Sequence, residues 1–101
     1  MTPITQAQLL SELRSYCTSR PWYPKIQLSL RFKSQFCYVD STDEGDERIF
    51  PLCRLRYFRD EHFSLALFSY GNERYEPCLF ANGKDQGTLT EAIETCEPFI
   101  I

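Results

Sequence analysis

The residues of this sequence best suited to covalent chemistry are one histidine and five cysteines. His62 directly follows Asp60 and Glu61, so a neighbouring carboxylate could orient its imidazole ring. A cysteine close to it in space could then act as a nucleophile. No spacing in the sequence brings a cysteine to the histidine, and a single histidine in a polar turn is more often solvated. We therefore expect no catalytic residue and retain a small Cys/His-dependent enzyme as a third hypothesis.

The cysteines lack the spacing of a metal site or a redox pair. They are odd in number and lie 20, 16, 25 and 18 positions apart, at Cys17, Cys37, Cys53, Cys78 and Cys96. Structural zinc sites and thioredoxin-like motifs both use close cysteine pairs, and this sequence has none. We expect five reduced thiols that serve as small buried hydrophobic residues, with neither metal nor cofactor.

A cluster of acidic residues is the remaining candidate for a cation site. Five carboxylates fall within positions 40–47, at Asp40, Asp43, Glu44, Asp46 and Glu47. The cluster lacks the alternating ligands and the terminal glutamate of a calcium-binding loop. We expect positions 42–47 to form a solvated acidic loop, too charged to bury. Asn82-Gly83 and Gly87 likewise do not form a phosphate-binding glycine motif.

Two helices with capping signals flank the chain. Thr2-Pro3 can begin a helix, and Thr5 with Gln8 offers a second start. Apolar residues at helical spacing continue this helix until about Ser19, before the prolines of positions 20–24. Near the C-terminus, Thr88 and Glu91 match a capping box, and Pro98 should end the second helix.

Between the helices the period changes to two, which is typical of strands. Five strands are predicted: Lys25 to Lys33, Phe36 to Ser41, about Arg48 to Phe58, Phe63 to Tyr70, and Tyr75 to Phe80. Pro51 cannot donate to a ladder, so it indicates a strand start, an edge or a bulge. The connections are short and suit antiparallel neighbours. The fold class is therefore α+β: residues 1–101 form a single domain, with one five-stranded antiparallel sheet and both helices on one face.

The sheet face away from the helices is the predicted binding surface. Strand alternation gives that face a mixture of basic and aromatic residues: Lys25, Arg31, Lys33, Tyr38, Arg54, Arg56, Phe58 and Phe68. Phe50, Leu52 and Phe80 are expected beside them. Fifteen aromatic residues in 101 are more than one small core readily hides, and arginine with aromatic side chains is typical of interface cores. Coverage of these rings by the Trp22-Tyr23 loop is the competing expectation.

These patterns favour a small non-catalytic module that binds another protein or itself, with a homodimer of facing sheets as the simplest case. The alternative is a single-stranded nucleic-acid-binding module, because arginines can bind phosphates while rings stack on bases. The net charge of −3 and the pI of about 5.1 oppose that alternative.

The sequence also bears on location. No apolar run approaches the roughly 20 residues that cross a bilayer. The first residues lack the basic start and the apolar stretch of a signal peptide. We therefore expect a cytoplasmic protein with no membrane partner.

Overall fold

The computed structural model describes residues 1–59 and 62–100. Along the chain lie α1 (Pro3–Cys17), β1 (Ile26–Lys33), β2 (Phe36–Asp43), β3 (Asp46–Arg59), β4 (His62–Ser69), β5 (Arg74–Cys78) and α2 (Leu89–Cys96), followed by a short 3₁₀ turn, Glu97–Phe99. The prediction of an α+β fold with five antiparallel strands is confirmed. Part of the predicted turn 59–61 lies outside the described residues.

The five strands form a meander in which each strand pairs with the next one along the chain. Directly paired residues project to the same side of a sheet, so the register defines rows of side chains. One row runs across all five strands through Arg31, Tyr38, Arg54, Ala66 and Pro77. The adjacent row on the opposite side runs through Phe32, Cys37, Leu55, Leu65 and Cys78.

Both helices cover the second of these sides. The buried core joins one stripe of each helix to that side of the sheet: Leu9, Leu13 and Cys17 from α1; Leu89, Ala92, Ile93 and Cys96 from α2; and Cys37, Val39, Cys53, Leu55, Phe63 and Leu65 from the strands. Trp22 joins the same core, where its indole N–H donates to Glu97 over 3.1 Å. The loop before β1 therefore closes the helix side and leaves the other side of the sheet uncovered by Trp22.

The predicted helix starts are confirmed in detail. Thr2 caps α1 by accepting a hydrogen bond from the amide of Thr5, with Pro3 in the first turn. Thr88 and Glu91 form the expected capping box at α2, since each side chain bonds the backbone N–H of the other residue. Within the described residues, neither helix has the length and apolar content to cross a membrane.

The prediction of an acidic loop at positions 42–47 is wrong. β2 continues to Asp43 and β3 begins at Asp46, so Glu44-Gly45 alone connects them. Asp43 accepts the amide of Gly45, and Asp46 forms a salt bridge of 2.7 Å with Arg48. These local hydrogen bonds satisfy the carboxylates at the surface, which lets the hairpin continue through charged residues.

The predicted alternation of β3 is wrong on the N-terminal side of a bulge. Val39 pairs with Cys53 but Asp40 pairs with Pro51, so Leu52 is the extra residue. An inserted residue reverses which side every preceding residue faces. Ile49 consequently lies opposite Thr42 on the uncovered side, and Phe50 lies opposite Ser41 on the helix side. Leu52 is buried instead of exposed beside the arginines.

An arginine–aromatic face as the candidate binding site

The uncovered side of the sheet, here called the open face, combines cations with aromatic rings. Two neighbouring register rows build its centre: Arg31, Tyr38, Arg54, Ala66 and Pro77 in one, and Lys33, Phe36, Arg56 and Ser64 in the other. Phe68 and Tyr75 pair with each other one row further along. Six predicted site residues therefore share this face: Arg31, Lys33, Tyr38, Arg54, Arg56 and Phe68.

Five rings form a continuous aromatic row across the open face, in the order Phe36, Tyr38, Tyr75, Phe68 and Tyr70. Successive centroids lie 6.3, 5.5, 5.1 and 4.9 Å apart. The last three contacts are edge-to-face, an arrangement favoured by the ring quadrupoles. Ala66 belongs to β4 and lies between Arg54 and Pro77 in the central register row. Its small side chain leaves room for Tyr38 of β2 and Tyr75 of β5 to meet over the sheet.

Arg54 lies between two of these rings. Its guanidinium carbon is 4.8 Å from the centroid of Phe36 and 5.4 Å from that of Tyr75. Contact with both rings restrains the Arg54 side chain, and a guanidinium group held over a ring keeps its N–H groups at the periphery, where they can donate. Among the described residues, no carboxylate lies within 4.0 Å of Arg54 or Arg56.

Arg31 differs because the face supplies its counter-ion. Its Nε donates to Asp40 over 2.8 Å, and its guanidinium group also lies 4.6 Å from the ring centroid of Tyr38. The bond to Asp40 raises the pKa of Arg31. Burial and the nearby Asp40 charge raise the pKa of Tyr75 as well. Asp40 is thus neutralised by Arg31. Among the residues that the structure describes, no carboxylate lies within 4.0 Å of the charged groups of Arg54, Arg56 or Lys33, so these are the unmatched charges of the face.

A cleft of about 550 Å³ opens beside the two unmatched arginines. Ser64 and Ala66 line it, together with the apolar residues Phe36, Pro77 and Leu79, here called the apolar wall. Leu79 is 58% exposed, so the wall presents apolar surface to a partner. Asp85 also lines the cleft. A group that fits here would combine negative charge near Arg54 with apolar atoms against the wall.

Two predicted site residues lie away from this centre. Lys25 precedes β1 and lines a separate hollow at the end of the sheet with Asp43 and Glu44. Phe58 is unpaired at another bulge of β3, where the guanidinium carbon of Arg56 lies 5.2 Å from its ring centroid. Phe80, also expected on the face, is buried in the core beside Gly87.

Sequence analysis missed Phe36 and Tyr75, the two rings that hold Arg54. Phe36 lies on the open face because the turn at Ser34-Gln35 pairs Lys33 with Phe36, and Ser34 adopts a φ of 55° there. Tyr75 lies two residues before Pro77 in β5, so both project from the open face. Both follow from strict alternation once the turn positions are known.

His62 is exposed at the start of β4. The hollow beside His62 is lined by Phe58, Arg59 and Gln86 and by no described cysteine. Four thiols are buried, and Cys78 is half-buried. Burial raises the pKa of Cys17 to about 11 and that of Cys37 to about 12, so both are protonated near neutral pH. The neighbours Asp60 and Glu61 lie outside the described residues.

Within residues 1–59 and 62–100, no group of three or more His, Cys, Asp or Glu side chains is placed to hold a metal ion. Comparison with known proteins finds no matching family model, no matching curated protein and no matching solved structure. The open face and its cleft therefore carry the functional argument.

Proposed function

We propose that this protein is a non-catalytic binding module whose open face holds an acidic segment of a partner protein. The observation that carries the proposal is Arg54, which is stacked between Phe36 and Tyr75 and has no carboxylate within 4.0 Å among the described residues. A guanidinium group fixed by two rings is pre-organised to form paired hydrogen bonds with a carboxylate. Arg56 and the apolar wall of the cleft extend the same site.

Charge complementarity supports an acidic partner over a second copy of this chain. A two-fold interface places the same patch of both copies in contact. Facing open faces would bring together Lys33, Arg54 and Arg56 of each copy. Among the described acids near these cations, Asp40 is already paired with Arg31, and Asp85, which lines the cleft, is a single carboxylate against three cations. The predicted homodimer of facing sheets is therefore the less favoured version of protein binding.

The packing of the rings supports a protein partner over single-stranded nucleic acid. Base stacking requires ring faces that are free to receive a base. Tyr75 and Phe68 instead contact each other edge to face, and the guanidinium groups of Arg31 and Arg54 lie over the rings of Tyr38, Phe36 and Tyr75. We further propose a cytoplasmic setting, which the odd number and wide spacing of the cysteines support.

The test uses a fluorescein-labelled nonapeptide of glutamate and leucine with proline at every third position, which prevents pairing as a strand. Fluorescence anisotropy should show saturable binding that weakens as salt rises, because the contacts are charged and partly exposed. The substitution R54E should weaken binding at least about tenfold, corresponding to about 1.4 kcal/mol. R74E is the matched control, since Arg74 lies on the opposite side of β5 from Tyr75.

Two further probes separate the alternatives. A peptide with lysine in place of glutamate should not bind. Labelled oligothymidylate should not bind at physiological salt either, and a salt-sensitive oligonucleotide complex lost in R54E would instead support the nucleic-acid module. Equal binding of the acidic peptide to wild type, R54E and R74E would refute the proposed site.

A further inference from the structure

The two edge strands of the sheet differ in how well they are protected. β5 has five residues and contains Pro77, and both features discourage pairing with another strand. β1 has eight residues without proline and pairs with β2 at every position from Ile26 to Lys33 without a bulge. β1 is therefore a long, regular edge.

The outer backbone of β1 is largely unpaired. The Ile26 amide, at the start of the strand, donates to Trp22, and the Thr42 hydroxyl that bonds Gln27 belongs to β2. From Leu28 to Lys33, no described residue bonds the outer edge. Unpaired N–H and C=O groups in a row are a template for an incoming strand.

A groove of about 320 Å³ lies between β1 and α1, and its lining combines leucines with the polar residues Arg14, Thr18, Gln27 and Ser29. Leu28 and Leu30 contribute its apolar surface from the sheet, and Leu10 and Leu13 contribute it from the helix. Leu10 is 42% exposed, although it belongs to the apolar stripe of α1. A strand added to β1 would direct every second side chain into this groove.

The other side of the same edge is basic. Arg31 and Lys33 lie on the open face of β1, and both are exposed. The alternate side chains of an added strand would lie beside these cations. The edge thus favours apolar residues beside the four leucines of the groove, and an acidic residue beside Lys33 on the other side.

We propose that β1 accepts an extended segment of a partner protein, with alternating apolar and acidic residues, as a sixth antiparallel or parallel strand. Main-chain hydrogen bonds provide the affinity in this mode, and the groove with the adjacent cations provides the selectivity. This site is distinct from the cleft at Arg54, which lies two strands further into the sheet.

A second copy of this chain fits the edge less well. Pairing β1 with β1 of another molecule places Arg31 and Lys33 of both copies on one face. Asp40 of β2 offsets Arg31, but β1 itself carries no acid to offset Lys33. Like charges on neighbouring strands destabilise the pairing. Charge complementarity therefore favours a segment that carries acids at alternate positions.

The probe is a labelled nonapeptide that alternates glutamate and valine, with fluorescence anisotropy as the measurement. We expect saturable binding, and at least about tenfold weaker binding of the same peptide with alternate amides N-methylated, because these amides cannot donate to the edge. Equal affinity of the two peptides would overturn strand addition.

The groove is tested by L10Q, with I4Q as the control on the same helix at 72% exposure. L10Q should weaken binding of the alternating peptide at least threefold, whereas I4Q should leave it unchanged. Binding of the proline-containing peptide should instead be weakened by R54E and unaffected by L10Q. Thermal unfolding of each variant checks that the fold is retained. Unaltered binding of the alternating peptide to a folded L10Q variant would refute the role of the groove in binding.

Discussion

Asp40 lies 2.8 Å from Nε of Arg31, and the two partners differ greatly in exposure: the Asp40 side chain is 3% exposed and that of Arg31 is 59% exposed. The pair therefore joins a buried anion to a cation that remains in water. Removing one partner has unequal effects, because only the buried charge loses its compensation.

We predict that Arg31→Ala destabilises the fold more than Asp40→Asn. The alanine variant leaves the Asp40 carboxylate buried without its cation, at a cost of about 1–3 kcal/mol. The asparagine variant removes the buried charge, and the exposed Arg31 is solvated, so we expect a cost below about 1 kcal/mol. Urea denaturation measures both free energies of unfolding. A larger loss in Asp40→Asn would show that the carboxylate is held mainly by other groups.

Core packing beneath α2 gives a second prediction. Ile93 is 1% exposed among Leu89, Cys96 and the strand residues, so Ile93→Ala should lower the free energy of unfolding by about 2–5 kcal/mol through lost burial and a cavity. The control is Ile49→Ala, because Ile49 is 63% exposed; the change there should stay within about 0.5 kcal/mol. Similar losses at both positions would contradict the assignment of the core.

Elements with a strong local signal were predictable from the sequence. Thr88 and Glu91 define the start of α2 by hydrogen bonds within four residues, and both are present as expected. The alternation of apolar and polar residues from Ile26 to Phe32 likewise predicted β1 and the side on which Arg31 lies, because successive side chains of a strand point to opposite faces.

The centre of the open face depends on relations that a local pattern does not contain. The bulge at Leu52 reverses the sides of Ile49 and Phe50, and Pro51 indicated an irregularity there without its position in the register. Arg54 meets Tyr75 although 21 positions separate them, because Ala66 leaves room across the sheet. That approach arises from the pairing of three strands.

Thiol accessibility provides a third prediction. All five cysteines should be reduced, and Cys78 should react first with iodoacetamide, because it is half-buried while Cys17, Cys37, Cys53 and Cys96 are buried. Mass spectrometry after native labelling should show one dominant adduct at Cys78, and labelling in denaturant should show five. Two native disulfides, or preferential labelling of Cys53, would contradict the buried-thiol interpretation.

The last prediction concerns stability at alkaline pH. Burial raises the pKa of Cys37 from its ordinary value of 9.0 to about 12, so the unfolded chain loses this proton before the folded chain does. The contribution of this thiol to stability is therefore complete below pH 9 and is lost as the pH rises towards 12. Within that window, one such thiol steepens the fall of the unfolding free energy by at most about 1.4 kcal/mol per pH unit.

Urea denaturation of Cys37→Ala at several pH values should give a shallower alkaline slope of the unfolding free energy than wild type, whatever the stability of the variant at neutral pH. Cys78→Ala is the control with a smaller expected change, because Cys78 is less buried. Identical alkaline slopes for Cys37→Ala and wild type would show that the Cys37 thiol ionises as readily in the folded chain as in the unfolded one.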